Sequence, residues 1–353
     1  MQQLTKTSFA FQFEVPPSLR GNYIFEAGQY VGIRFLHEGK EIINDYSITS
    51  APHEGTLEVA VRFHPDYGSS RSLGELSSTG SFLDVSEPKG RFTLVSKPHE
   101  FRTIVGFATG IGITPVFSHI KNLLITEPRT RIFLFYGNKD RAETVFRREL
   151  DQLALDSGGR LQIHYFYTRD AAVKGFFEGR IDSHKVKLII NQILNYDDTD
   201  EESTIWDAVD EVMICGSGPF IKEIANASFD QGIPKRNIHF ELFEEFNEDI
   251  YPVEVEFPLI ENITVNYKYN GEKYQAELQN NSAKILQSLL QEKMPVPFSC
   301  KSGICGTCIC TLTEGRVEML ENEYLTESEE NSGKILACMC FALDKNIELD
   351  FDR

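Results

Sequence analysis

Residues 297–308 read Pro297-Phe298-Ser299-Cys300-Lys301-Ser302-Gly303-Ile304-Cys305-Gly306-Thr307-Cys308, and a further thiol stands far downstream at Cys338. The spacing is C-x4-C-x2-C, then 29 residues, then Cys. Four thiolates are what a 2Fe-2S cluster requires, two per iron, and this spacing is one of its established patterns. The small residues Ser302, Gly303 and Gly306 let the backbone curl closely, so that N–H groups point at the sulfurs and tune the potential. Four cysteines also suit structural zinc, but zinc sites usually bring two C-x2-C knuckles. Three ligands in one Gly/Ser loop with one distant partner favour iron, so Cys300, Cys305, Cys308 and Cys338 are the expected ligands. Cys310 and Cys340 each follow a ligand by two residues. In extended chain they share the ligand's face and are expected to be buried rather than bonded to iron.

Working outward, Tyr267 to Leu278 alternates apolar and polar residues on both sides of Asn270-Gly271, a strong hairpin signal. Ser282 is placed to cap a helix with Ile285, Leu286, Leu289 and Leu290 on one side, and Pro295 closes it. Hairpin, helix and cluster loop together resemble the β-grasp fold of plant-type ferredoxins. The tail, Glu314 to Met319 and Ile347 to Asp352, is similar to the ferredoxin module of bacterial monooxygenase reductases, the reductase subunits of phenylacetyl-CoA epoxidases among them.

The 353 residues suffice for two or three domains with real cores. A formal charge of −18 argues against nucleic acid and anionic membranes as partners. The acid is concentrated: Asp197–Glu211 and Glu241–Glu261 each carry eight carboxylates and no Lys or Arg, and read as solvated loops or linkers. No apolar run approaches the ~18 residues of a membrane span. The N-terminus lacks the apolar stretch of a signal peptide, and the clustered cysteines do not suggest a disulfide framework, so a cytoplasmic protein without membrane insertion is expected.

The first 98 residues are rich in strand signals such as Tyr30–Phe35 and Leu57–Phe63. Gly28-Gln29-Tyr30, Tyr46-Ser47, Gly68-Ser69-Ser70-Arg71-Ser72-Leu73 and Pro88-x-Gly90-x-Phe92 follow one another. In that order they resemble the flavin barrel of the ferredoxin–NADP reductase superfamily. The resemblance implies that Tyr46 packs on the isoalloxazine ring and Ser47 bonds near its N5. Ile48 and Thr49 continue that strand, Ser70 and its neighbours hold the pyrophosphate, and FAD is favoured over FMN. The family motif has Arg two residues before the Tyr; here stands Asn44. Losing a guanidinium–phosphate contact costs ~1.5–3 kcal/mol, and Arg62 or Arg71 is expected to substitute.

From residue 99 the pattern becomes strand–helix alternation, which implies a parallel sheet covered on both faces, with ligands at the carboxyl ends of its strands. Thr109-Gly110-Ile111-Gly112-Ile113-Thr114 opens a helix after one such strand, where glycines admit a phosphate and the helix N-terminus favours the anion. With Tyr136-Gly137-Asn138, Tyr167-Thr168-Arg169-Asp170, Gly179-Arg180-Ile181-Asp182 and Cys215-Gly216-Ser217-Gly218-Pro219-Phe220 it resembles the pyridine-nucleotide domain of the same superfamily. By that likeness Thr109, Gly110, Gly112 and Thr114 cradle the phosphates, and Cys215, Gly216 and Pro219 lie about the nicotinamide. Thr168 and Arg169 meet the adenosine ribose, which favours NADPH over NADH. His239 to Phe243 resembles the closing strand, whose last aromatic, Phe243, can cover the flavin. His184 and His239 show no partners in the sequence.

The expected architecture is thus multidomain: an antiparallel flavin β-barrel (1–98), an α/β nucleotide domain with a parallel sheet (99–243), an acidic linker (244–262) and an α+β β-grasp ferredoxin (263–353). The resemblance implies electron transfer from NADPH to flavin to cluster to a protein acceptor, a terminal oxygenase such as a phenylacetyl-CoA epoxidase-type complex. Hydride transfer needs no acid–base residue, and none is nominated. Two readings compete: a general NADPH–ferredoxin or flavodoxin reductase, and a cluster-only electron carrier or redox sensor that has lost its flavin through Asn44.

Overall fold

The structure is a computed structural model. It describes the chain except residues 64–72, 75–79, 81, 194–208, 245, 247, 252–256, 299–300, 302, 304–305, 321, 323 and 353, and the side chains of residues 37, 192 and 193. Two compact units divide it, Met1–Glu244 and Glu245–Arg353.

In the first unit, β1 (Gln2–Gln3), β2 (Ser8–Phe13), β3 (Tyr30–His37), β4 (Lys40–Ser47), β5 (Leu57–Arg62) and β6 (Asp84–Val85) form two antiparallel sheets, ordered β1-β2-β5 and β4-β3-β6. Alternating apolar residues turn inward from both sheets. Phe11, Val31, Ile33, Ile48, Val59 and Val61 share one core, and an antiparallel bridge between Ile48 and Val59 joins the sheets. This is the barrel module anticipated from the strand signals.

The chain then alternates. Strand β7 (Thr103–Thr109) leads to helix α1 (Ile113–Thr126), β8 (Arg131–Asn138) to α2 (Arg147–Asp156), and β9 (Leu161–Tyr167) to α3 (Ser183–Leu188); β10 (Glu211–Gly216), α4 (Gly218–Asp230) and β11 (Ile238–Leu242) complete the module. All five strands run parallel, in the order β11-β10-β7-β8-β9. The residues of β7, β8 and β10 are buried almost without interruption, as a sheet covered on both faces demands.

A buried network ties the amino edge of this sheet. Arg102 donates to Glu127 through Nε at 2.8 Å and Nη2 at 2.6 Å, and Thr130 Oγ1 and the Lys97 N–H donate to the same carboxylate. Glu211 lies 3.7 Å from Arg102 and accepts from His239 Nε2 at 2.8 Å. His239 therefore has a partner after all. Glu211 and Asp210, which accepts from the Thr103 N–H at 2.6 Å, belong to an acidic run that reads as solvated. Composition shows the charge of a run, not which members fold back onto a strand end.

In the second unit β12 (Glu261–Tyr269), β13 (Glu272–Asn280), β14 (Ile309–Glu314), β16 (Lys334–Leu336) and β18 (Asn346–Asp350) form a mixed sheet ordered β13-β12-β18-β14-β16, and β15 (Val317–Met319) pairs with β17 (Cys340–Ala342). Asn270 and Gly271 take φ of 54° and 79°, the two positive values that the turn between β12 and β13 requires. Helix α5 (Ile285–Gln291) covers the sheet with Ile285, Leu286 and Leu289, and α6 (Glu327–Asn331) precedes β16. The start of α5 differs from expectation. Lys284, not Ser282, occupies the capping position, because the Ser282 N–H and hydroxyl are taken locally by Asn280 Oδ1. In the segment before β12, Ile250 and Tyr251 are buried, and Asp249 pairs with Lys284 at 3.0 Å. Among the described residues no helix is long and apolar enough to cross a membrane.

Candidate redox and nucleotide sites

The glycine turn between β7 and α1 lies at the carboxyl edge of the parallel sheet. Gly110 has φ +55°, and its carbonyl accepts from Tyr136 Oη at 2.7 Å, which fixes the turn from the neighbouring strand. A Cβ on Gly112 would stand 2.5 Å from Cys215 O, and one on Gly216 would stand 2.4 Å from Thr109 Oγ1. Backbone therefore meets backbone at Gly112, the Thr109 hydroxyl closes on Gly216, and Thr109, Gly110, Gly112, Cys215 and Gly216 come together at the carboxyl edge of the sheet. Thr114 is buried, its hydroxyl donating to Ile111 O at 3.0 Å. Pro219 is exposed in the first turn of α4. Thr168 and Arg169 are exposed past the end of β9, held by their N–H groups to Asn138 O at 3.1 Å and Lys139 O at 2.8 Å.

On the barrel side, Tyr46 and Ser47 end β4. Asn44 Nδ2 donates to Tyr46 Oη at 3.3 Å, so the amide that replaces the family arginine braces the aromatic ring. Ser47 is buried, and its hydroxyl donates to Glu241 Oε2 at 3.0 Å. Glu241 on β11 is the register neighbour of Cys215 on β10. A serine at the end of the barrel strand β4 and a cysteine of the nucleotide module thus meet at one carboxyl. Burial is the main cause that pushes this carboxyl up to about 8, and burial followed by the nearby Glu241 pushes the Cys215 thiol up. Sequence reasoning passed over Glu241. The available signal was its position two residues before Phe243, which extended chain places on the same face. Phe243 itself follows β11 and is 43% exposed.

Ile48 and Thr49 are fully buried, with the Thr49 hydroxyl donating to Glu58 Oε1 at 2.8 Å. Arg62 Nη2 donates to Glu143 Oε2 at 3.0 Å, an oxygen that also accepts from Thr7 Oγ1. Its other terminal nitrogen stands 3.2 Å from where a Cβ on Gly110 would be. Arg62 is thus placed between barrel and glycine turn, already paired. Ser70 and Arg71 lie outside the described residues. The barrel and nucleotide modules interlock elsewhere too. Ser118 Oγ donates to Ser50 O at 2.6 Å, and His119 Nε2 donates to Phe92 O at 2.7 Å. Burial holds the His119 imidazole down at about 4, neutral at physiological pH.

Glu241 gives this site a pH signature. The folded carboxyl, raised to about 8 from 4.5, keeps a proton that the unfolded chain releases. Between those values the native state binds more protons, so stability falls as pH rises and flattens above the folded value. In flavin-free protein, Glu241→Gln should remove that decline. Thermal melts at about pH 5 and about pH 9 test it, and equal losses in both proteins would reject the assignment.

In the second unit Cys308 and Cys338 are both 3% exposed, and the Gly303 N–H donates to Cys338 Sγ at 3.3 Å. Gly306 has φ +62°, and a Cβ there would stand 2.3 Å from the Tyr324 ring. A thiol receiving an amide N–H near a left-handed glycine turn packed under the Tyr324 ring fits a cluster ligand. Cys300 and Cys305 lie outside the described residues. Cys310 and Cys340 are buried at 1% and 0%, and burial chiefly pushes both thiols up, as for inert core cysteines.

Comparison with known proteins agrees module by module. Residues 2–94 match the oxidoreductase FAD-binding domain, 107–226 the oxidoreductase NAD-binding domain and 267–343 the 2Fe-2S iron-sulfur cluster binding domain. One component of the 1,2-phenylacetyl-CoA epoxidase of Escherichia coli is 28% identical, over 99% of this chain and 94% of its own. The ferredoxin reductase component of the 3-ketosteroid-9-alpha-monooxygenase of Rhodococcus rhodochrous is 28% identical, over 96% and 91%. Phthalate dioxygenase reductase, described as a modular structure for electron transfer from pyridine nucleotides to [2Fe-2S], shares the fold with a TM-score of 0.50 and 22% identity, over 99% of this chain and 95% of its own. With three modules matched in order and both relatives aligned over nearly their whole length, the chain is an oxidoreductase that carries an FAD-binding domain, an NAD-binding domain and a C-terminal 2Fe-2S domain.

Proposed function

We propose that the protein is the reductase component of an oxygenase, taking electrons from NADPH and delivering them singly to a protein acceptor in the cytoplasm. The observation that carries this reading is the meeting of Ser47 and Cys215 at Glu241, which brings the flavin side and the nicotinamide side into one chamber. When bound, the nicotinamide supplies an electron pair, the flavin divides it and the cluster carries single electrons onward. The chain's part is placement. Tyr46 and Ser47 orient the flavin ring; Ile48 and Thr49 extend that wall through their backbone, and Phe243 covers it. Arg62, with Ser70 and Arg71, neutralises the flavin phosphates. Thr109, Gly110, Gly112, Thr114, Gly216 and Pro219 seat the nucleotide, with Cys215 excluding water from the reacting face. Cys300, Cys305, Cys308 and Cys338 hold the cluster. The modules are taken as 1–98, 99–243 and 263–353, with 244–262 between them. Anaerobic addition of NADPH to the reconstituted protein should bleach the flavin absorbance and then produce the EPR signal of a reduced 2Fe-2S centre. A protein that retains neither FAD nor FMN would reject the reading in favour of the carrier.

Choice of nucleotide rests on Arg169. Its acidic neighbour Asp170 accepts from Arg141 Nε at 2.9 Å, which offsets the carboxylate that would otherwise repel a 2′-phosphate. Arg169→Ala should raise KM for NADPH by about ten- to a hundredfold, the equivalent of ~1.5–3 kcal/mol for a charged contact, and leave NADH nearly unchanged. Parallel steady-state kinetics with both nucleotides decide this, and equal effects would show that Arg169 does not read the phosphate.

A further inference from the structure

A lysine ammonium is rarely buried without reason, and one is buried beside the cluster loop. The Lys284 side chain is 4% exposed, and its Nζ lies 3.0 Å from Asp249 Oδ2. Lys284 stands at the start of α5, and α5 packs on the Ala337–Met339 turn that carries Cys338. Asp249 comes from the acidic segment ahead of the ferredoxin sheet. That segment also supplies the Phe246 carbonyl, which accepts from Lys301 Nζ at 3.2 Å, and Lys301 lies in the loop between Cys300 and Cys305. Lys284, Asp249, Lys301 and Cys338 line one cavity of about 610 Å³.

We propose that the Lys284–Asp249 pair, its ammonium buried and its carboxylate 28% exposed, sets the reduction potential of the 2Fe-2S cluster. This rests on Cys338 as a cluster ligand. Reduction adds one negative charge to the cluster, and the Lys284 ammonium, 4% exposed and lining the cavity that Cys338 also lines, acts on it with less screening than a surface charge. The ammonium favours the reduced form and the carboxylate disfavours it, so the intact pair holds two opposed influences in balance. Stability alone does not account for the pair, because apolar residues of similar volume usually do as well as a buried ion pair. Removing either member should therefore shift the potential, and the two shifts should have opposite signs. A pair that only fastened the segment would not produce that antisymmetry.

The test is an EPR-monitored redox titration of the full-length, FAD- and cluster-reconstituted protein, which reads the cluster directly. Lys284→Met should lower the potential and Asp249→Asn should raise it. Each shift should be at least tenfold in the reduced-to-oxidised ratio at fixed poise, about 59 mV for a one-electron couple. Lys284→Arg and the double variant Lys284→Met/Asp249→Leu should both return close to wild type. Cluster-bearing variants with unchanged potentials, or with shifts in one direction, would overturn the proposal. Should Lys284→Met fail to hold a cluster, Asp249→Asn against Lys284→Arg still decides it. Failure of the underlying ligand assignment looks different, since the cluster EPR signal would then survive Cys338→Ser.

Discussion

Cys338→Ser should strip the iron–sulfur absorbance from the protein and leave NADPH–ferricyanide activity in place. Cys338 is buried, and its sulfur receives the Gly303 N–H, so a hydroxyl there offers iron a harder and poorly placed ligand. The flavin and nucleotide modules have separate cores and lie in the other compact unit, so they fold without the cluster. Ferricyanide accepts electrons directly from flavin, whereas cytochrome c reduction through the cluster should fall by more than the roughly 10- to 100-fold that loss of an outer-shell partner costs a metal site. Cys310→Ser is the matched control. Cys310 is buried in the same cluster of core residues but falls outside the ligand spacing, so the variant should lose some stability and keep its colour. Bleaching by Cys310→Ser with Cys338→Ser still brown would reverse the ligand assignment. Loss of ferricyanide reduction in Cys338→Ser with flavin still bound would reject a modular electron path.

The largest stability effect should come from Glu127→Ala. Glu127 is fully buried and accepts from Arg102 twice, from Thr130 Oγ1 and from the Lys97 N–H. Burial alone would raise its carboxyl, but these bonds outweigh that and hold it below the usual carboxylate range. The pair's contribution is therefore present above the unfolded value of 4.5 and is lost as pH falls through the depressed folded value. Truncation leaves the buried Arg102 guanidinium with the Glu211 carboxylate, 3.7 Å away, as its counter-charge, a cost of about 3–5 kcal/mol. At ~2–4 °C per kcal/mol for a unit of this size, the melting temperature should drop by about 6–20 °C. Arg102→Met/Glu127→Leu should recover most of that loss. A single variant within about 2 °C of wild type would mean that the network carries little net energy.

What the sequence disclosed divides along physical lines. Local patterns were legible. Asn270-Gly271 specifies a two-residue turn through its backbone alone, and the apolar strands from Thr103 to Gly216 announce a sheet buried on both faces. The cysteine spacing named its chemistry because iron dictates ligand number. The capping residue of α5 was misread because Asn280 competes locally for Ser282, a contest that pattern does not rank. Long-range pairings were hidden for a different reason. Glu241 lies 194 residues from Ser47, and Glu211 and His239 sit 28 apart on neighbouring strands. Their roles arise only when strand order is known, and strand order is not written in any one segment. Arg62 is expected at the flavin phosphates from sequence, but Glu143 as its counterion cannot be seen from either segment.

The seating of Asp249 on Lys284 also says where the chain can be cut. A ferredoxin fragment started at residue 263, where the acidic composition ends, would leave a 4% exposed ammonium without its Asp249 carboxylate and would discard the buried Ile250 and Tyr251. The compact unit that keeps the pair together is Glu245–Arg353. Anyone exchanging ferredoxins between reductases, or expressing this one alone, is therefore moving a carboxylate along with the iron.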